Sequence, residues 1–114
     1  MTQHQQYLLI VRTRPLPGWE TEFHAWYDGT HLAELLEIPD FAAAQRFAPL
    51  DVPPVQDADG RFVAVYTLET DDIERTMARF NAERDGMAVP DCLDVDGVSF
   101  ELWQALAPKR EAVR

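Results

Sequence analysis

Phe23-His24-Ala25-Trp26-Tyr27-Asp28-Gly29-Thr30-His31-Leu32-Ala33-Glu34-Leu35-Leu36, closed by Ile38-Pro39-Asp40-Phe41, is the most informative stretch of the chain. On a helix turning about 100° per residue, His24, Tyr27, Asp28, His31 and Leu35 gather on one side. Trp19, Phe23, Trp26 and Thr30 gather on another. Large rings dominate burial in small domains, so the aromatic stripe reads as core. The spacing predicts a helix over 19–36. Pro15, Pro17 and Gly18 precede it, Glu20 and Glu22 occupy the first turn where the helix dipole favours acids, and Pro39-Asp40 stops it. Gly29 is expected to loosen its middle.

Strand signals flank this helix. Residues 7–14, Tyr-Leu-Leu-Ile-Val-Arg-Thr-Arg, are rich in apolar and β-branched side chains. Residues 41–48, 61–69 and 98–106 give three more strands. Asp71-Asp72 caps a second helix that runs to Asp85, with Gly86 after it and Ile73, Met77 and Phe80 at helical spacing. Residues 49–60 form a long polar connection, and 87–97 read as irregular. The order β-α-β-β-α-β is the ferredoxin-like split βαβ arrangement. The expected fold is α+β: a four-stranded antiparallel sheet with two helices on one face, in a single domain over 1–114 with a flexible tail at 106–114.

Periodicity adds a constraint. A monomer would leave the sheet's second face polar. Here Tyr7, Leu9 and Val11 share one parity of the first strand, and Leu8 and Ile10 the other. The third strand sets Phe62, Ala64, Tyr66 and Leu68 against Val63 and Val65, and the fourth sets Val98, Phe100 and Leu102 against Trp103. Two helices cannot cover two apolar faces. A homodimer packed sheet to sheet is therefore expected.

His31 sits at the edge of the aromatic stripe and admits three readings. It is a structural histidine satisfied by a carbonyl or by Asp28, a general acid/base whose tautomer and pKa Asp28 sets, or a metal ligand. Geometry disfavours the third: His24 and His31 lie ~10 Å apart along a helix axis, whereas ligands must approach one ion to about 2 Å. Ala42, Ala44, Arg46 and Ala48 share one strand face, and their small side chains suggest a hollow that Arg46 enters. Arg46 then pairs with a carboxylate such as Glu101, or anchors a substrate carboxylate, phenolate or enolate. Tyr66 is either packing or a second donor. Trp26, Tyr27 and Phe62 would shape the pocket, with residues 49–60 closing over it.

The 114-residue chain carries ten basic and twenty acidic residues, a net charge of −10. Its only basic cluster is Lys109, Arg110 and Arg114 at the end. Phosphate backbones are bound by surplus cations, so nucleic acid is not an expected partner, and anionic membrane surfaces repel such a chain. No apolar run approaches the ~20 residues of a bilayer span, and the first residues lack a leader's basic and apolar regions. With one cysteine, Cys92, no intrachain disulfide can form. A cytoplasmic protein is expected. Acidic neighbours make Cys92 a poor nucleophile. No phosphate loop, paired-cysteine motif or nucleophile elbow is present, so neither cofactor nor metal is expected.

The pattern Phe23-x-x-Trp26-Tyr27-x-x-x-His31-Leu32, then Leu35-Leu36, Pro39-x-Phe41 and Arg46-Phe47, resembles EthD-like proteins of the dimeric α+β barrel superfamily. The resemblance covers nearly the whole chain. It implies a ferredoxin-like protomer, a sheet-to-sheet homodimer, and a ligand cavity between sheet and helices with the residue at position 31 facing it. A glycine often precedes the aromatic matching Phe41; this chain has Asp40. Relatives include cofactor-free monooxygenases, polyketide cyclases and muconolactone isomerases. The expected function is cofactor-independent proton transfer (isomerase, cyclase or lyase type) on an apolar or aromatic carbonyl metabolite. His31 and Asp28 would be catalytic, and Trp26, Tyr27, Arg46, Phe62 and Tyr66 would bind substrate. A cofactor-free monooxygenase of a phenolic substrate and a non-catalytic dimeric binding protein are the alternatives.

Overall fold

Alternation along the first strand decides which side of the sheet is covered. In the computed structural model, which describes residues 4–57 and 59–114, β1 (Gln5–Thr13) buries Leu9, Val11 and Thr13 and leaves Leu8, Ile10 and Arg12 half-exposed. β1 pairs antiparallel with β3 (Phe62–Thr70) over its full length, from Gln5 opposite Thr70 to Thr13 opposite Phe62. That register puts Ala64, Tyr66, Leu68 and Thr70 on the same buried side. β2 (Phe41–Phe47) and β4 (Ser99–Gln104) pair antiparallel on the outsides, giving the order β2-β3-β1-β4. This is the ferredoxin-like α+β sheet expected from the element order. Gln5 and Gln6 are polar, yet they extend β1 because Thr70 and Glu69 lie opposite.

The helices cover one face. The first is continuous but not uniform: α1 (Glu20–Trp26) and α2 (Leu32–Leu36) are joined by a π-helical turn, Tyr27–His31. Gly29 lies inside that turn, where its low helix propensity makes departure from the α ladder cheap. α3 (Ile73–Asp85) is capped by Asp72, whose carboxylate accepts the Arg75 N–H at 3.1 Å. Phe23, Tyr27, Leu35 and Phe80 from these helices meet Leu9, Tyr66 and Leu68 of the sheet in one core.

Asp40, where the resemblance leads to the expectation of a glycine, has φ +77°. This left-handed backbone disfavours most side chains but is tolerated by Asp and Asn. Its carboxylate accepts the Thr76 hydroxyl at 2.7 Å, and its carbonyl accepts the Glu69 N–H at 2.9 Å. Thr76 has one proton to give, so its contact with Thr70 Oγ1 at 2.8 Å has Thr70 as donor. The turn before β2 is thereby tied to α3.

The other sheet face carries Leu8, Ile10, Val63 and Val65, with Phe47 and Trp103 at its margins 47% and 56% exposed. Arg12 and Glu101 form an ion pair across it. Among the described residues, no helix is long and apolar enough to cross a membrane.

Candidate functional site

An apolar cavity of about 210 Å³ lies between the sheet and its covering elements, over the β1 and β4 side. Val11, Thr13, Tyr66 and Phe100 form its floor, and Trp26, Tyr27, His31 and Leu35 one wall. Phe80 and Arg84 of α3 and the segment 87–98 complete it. That segment is fastened to the end of β1. Leu16 N–H donates to Cys92 O at 2.8 Å, Asp94 N–H to Arg14 O at 3.1 Å, and Arg14 Nε to Asp94 Oδ2 at 2.8 Å. Gly97 lets Arg14 pass, since a Cβ there would stand 2.9 Å from Arg14 Nε. Cys92 is buried behind this wall, and burial pushes its thiol up.

The π turn places His31. Leu32 N–H bonds back five residues to Tyr27 O, so residues five apart come into line. His31 stacks on Trp26 with ring centres 4.4 Å apart and meets Tyr27 edge-on at 5.1 Å. Such turns recur at functional sites because they re-aim side chains without breaking a helix. Burial pushes the His31 pKa below its ordinary 6.5, and Glu34 pulls the other way. The Nδ1–Oε1 separation is 3.6 Å, too long for a hydrogen bond.

Two residues lining this cavity carry orphaned polar atoms: His31 Nδ1 and Tyr66 Oη are buried and have no hydrogen-bond partner among the described residues. Buried polar groups are nearly always satisfied, and an unpaired one costs about 1–3 kcal/mol. The Tyr27 hydroxyl stands beside that of Tyr66, close enough to perturb its ionisation though not in hydrogen-bond geometry, and Thr13 stands beside Tyr27. Burial raises both phenols, Tyr66 the more strongly, so each stays protonated and acts as a hydrogen-bond donor.

The residues singled out in the sequence divide between two places. Trp26, Tyr27, His31 and Tyr66 line the cavity. Asp28, Arg46 and Phe62 do not; with His24 they form a separate cluster over the β2 edge. Arg46 donates to Asp28 Oδ1 at 2.8 Å and to His24 Nδ1 at 3.0 Å, and its guanidinium lies 4.5 Å from the centre of the Tyr27 ring. Phe62 packs on His24 and Phe23. The expected Asp28–His31 pair is thus replaced by Asp28–Arg46. The physical reasons are the π turn, which swings His31 off the Asp28 face, and the sheet order, which sets β2 on the edge opposite the cavity. Glu101 pairs with Arg12, not Arg46. Ala42 is exposed at an irregularity in the β2 pairing, so it does not join Ala44 in a hollow. Among the described residues, 49–60 contribute nothing to the cavity, and 87–98 wall it instead. Glu34, Thr13 and Arg84 escaped the sequence reading. The apolar content of Met87, Val89, Leu93 and Val95 in a nominal loop was the signal that this segment covers something.

No protein-family model matches the chain, and no functionally curated protein matches it. Among solved structures, an ethyl tert-butyl ether D (EthD) family protein from Bacillus halodurans superposes with a TM-score of 0.62. It is 15% identical, over 89% of this chain and 99% of that one. This chain has the fold of an EthD family protein. A Bacillus cereus protein described as a candidate antibiotic biosynthesis monooxygenase is 12% identical over 95% of this chain and 99% of its own, with a TM-score of 0.49. The EthD-type fold accounts for the sheet order and the covering helices. The chemistry of the cavity rests on the side chains themselves.

Proposed function

We propose that the cavity binds a small apolar or aromatic carbonyl compound, and that His31 moves a proton at the carbon beside its carbonyl without a cofactor. The observation that carries this reading is a pair of orphaned atoms, His31 Nδ1 and Tyr66 Oη, on two residues that line one apolar chamber. A depressed pKa keeps the imidazole neutral at pH 7 and able to accept a proton. As the C–H proton passes to His31, the electron pair moves onto the carbonyl oxygen. Tyr66 donates a hydrogen bond to the resulting enolate, with Tyr27 as its neighbour. Return of the proton to another atom completes an isomerisation. Asp28 and Arg46 hold the first helix to β2 and take no part in the transfer.

The test is solvent exchange. Phenylacetone, a neutral aromatic ketone, is incubated in D₂O, and loss of its benzylic C–H signal is followed by proton NMR. The expected result is exchange well above the buffer rate, abolished by His31→Ala with the far-UV circular dichroism unchanged. Exchange equal in wild type and His31→Ala overturns the acid/base role. Binding of phenylacetone without exchange favours a binding protein.

The free sheet face supports a second copy as its cover. Leu8, Ile10, Val63 and Val65 form a continuous apolar strip beyond the reach of either helix, and a sheet-to-sheet homodimer buries it against its like. Light scattering at twice the protomer mass is the expected result.

A further inference from the structure

Resting on the cavity as a ligand site, we propose that its natural ligand is an organic acid: an aromatic or alkyl carboxylate whose anionic end docks on Arg84 while its carbonyl end reaches His31 and Tyr66. The chain has ten lysines and arginines, three of them in the C-terminal tail (Lys109, Arg110 and Arg114), and six of the other seven are paired with carboxylates. Arg12 pairs with Glu101, Arg14 with Asp94, Arg46 with Asp28, Arg61 with Asp59, Arg75 with Asp71, and Arg79 with Glu83. Arg84 has no carboxylate partner among the described residues, although Asp85 is its neighbour in sequence. Its one side-chain hydrogen bond goes to the neutral Asn81 Oδ1 at 3.2 Å.

Arg84 stands on the cavity wall. Its guanidinium lies 4.6 Å from the centre of the Phe100 ring and 5.4 Å from that of Phe80. Aromatic faces hold a guanidinium in place by cation–π attraction while leaving its edge N–H groups free. That free edge matches a carboxylate, which accepts two parallel N–H bonds. A cation in the last turn of α3 also suits the negative end of the helix. This accounts for a positive charge there, but not for its seat on two rings of a ligand chamber with no counter-ion. In a protein of net charge −10, the overall field repels anions, so a carboxylate needs a local cation to enter. The remaining polar atoms of the chamber are the hydroxyls and the imidazole already described, and none carries a full positive charge at pH 7.

Two probes separate the inference from the reading beneath it. Phenylpyruvate and phenylacetone share one skeleton, with a carboxylate in the first where the second has a methyl. Binding is read from the Trp26 indole N–H in ¹⁵N-correlated NMR spectra. The expected result is that wild type binds phenylpyruvate about tenfold more tightly than phenylacetone, the share of one charge-assisted contact. Arg84→Gln, an exposed substitution at a position that tolerates glutamine in a helix, is expected to erase that preference and bring the two probes to equal affinity. Equal binding of the two probes by wild type overturns the carboxylate inference and leaves the cavity reading standing. So does a preference that survives Arg84→Gln. If neither probe shifts Trp26 at millimolar concentration, the cavity reading fails and the inference with it.

Discussion

The imidazole of His31 lies nearly flat on the indole of Trp26, ring centres 4.4 Å apart and planes 20° from parallel. The two residues are five apart, a spacing that an α-helix turns away from each other and a π turn brings into line. The stack seals one side of the imidazole from water. It also fixes the ring beside Glu34 on the helix and Tyr27 at its edge. Much of the site's chemistry follows from that seclusion.

His31 is expected to titrate below 6.5, because burial penalises its charged form more than Glu34 favours it. Glu34→Gln removes the opposing influence and lowers the value further. The sign for stability follows from the same shift. The unfolded chain binds a proton more readily than the folded one, so this contribution is complete above 6.5 and is lost as pH falls through the lower folded value. An NMR titration of the His31 ring in wild type and Glu34→Gln checks both statements. A value at or above 6.5 in wild type contradicts them.

Arg46 is expected to matter for the fold and not for the cavity. Its ion pair with Asp28 is worth little, since that carboxylate side chain is 63% exposed. Its guanidinium is largely buried against Tyr27, Phe23 and Phe62 and hydrogen-bonded to His24. Arg46→Met keeps the bulk and loses these polar contacts, at an expected cost of about 1–2 kcal/mol in urea unfolding. Phenylacetone affinity should change only modestly, since Arg46 meets the cavity only through the Tyr27 ring it covers. A large loss of affinity with unchanged stability would restore Arg46 as a substrate anchor.

Substitutions at Asp40 should order as Asn, Gly, Ala by increasing damage. Asparagine tolerates the +77° backbone and still accepts from Thr76. Glycine relieves the backbone but abandons the charge-assisted bond, a net loss of about 1 kcal/mol. Alanine loses the bond and keeps the strain, about 3 kcal/mol. Chemical denaturation of the three variants tests the order, and an Asp40→Gly protein more stable than wild type breaks it.

Element order and the doubly apolar sheet were legible in the chain, because period-2 alternation and helix capping act over a few residues each. His31 in a cavity was legible too, through the density of aromatics around it. The partner of Asp28 was not. Three residues apart, Asp28 and His31 share a face of any α-helix, and only the π turn around Gly29 separates them. Arg46 was placed near the hollow because its strand bears small residues. Which end of the sheet that strand occupies is a long-range matter: the cavity opened over β1 and β4, and β2 fell on the other edge. Arg84 reads in sequence as one more charge on an exposed helix. Its meaning appears only when every other arginine of the folded body is seen to hold a carboxylate.

Val65 stands on the uncovered face of the central strand β3, opposite Ile10 of β1. Val65→Lys should leave the protomer folded, since the side facing the helices is untouched. It should dissolve a sheet-to-sheet dimer by placing two like charges in an apolar contact. Light scattering of the variant at the protomer mass, with wild type at twice that mass, is the expected pair of results. A dimer that persists places the interface elsewhere.

Tyr66 carries the last prediction, and it separates a pocket built for a ligand from one that is merely incompletely packed. Its hydroxyl is buried without a partner among the described residues, and burial keeps the phenol protonated at any working pH. In the empty protein that group is a liability: Tyr66→Phe deletes an unsatisfied donor with almost no change in shape, and should stabilise the fold by about 1 kcal/mol. The same deletion removes the donor proposed to meet the enolate oxygen, so exchange of phenylacetone should fall by about 10²-fold. Stability gained and turnover lost in one substitution is the signature of a residue kept for its ligand. If Tyr66→Phe instead destabilises the protein, its hydroxyl has a partner in the folded state, and the enolate role passes to Tyr27.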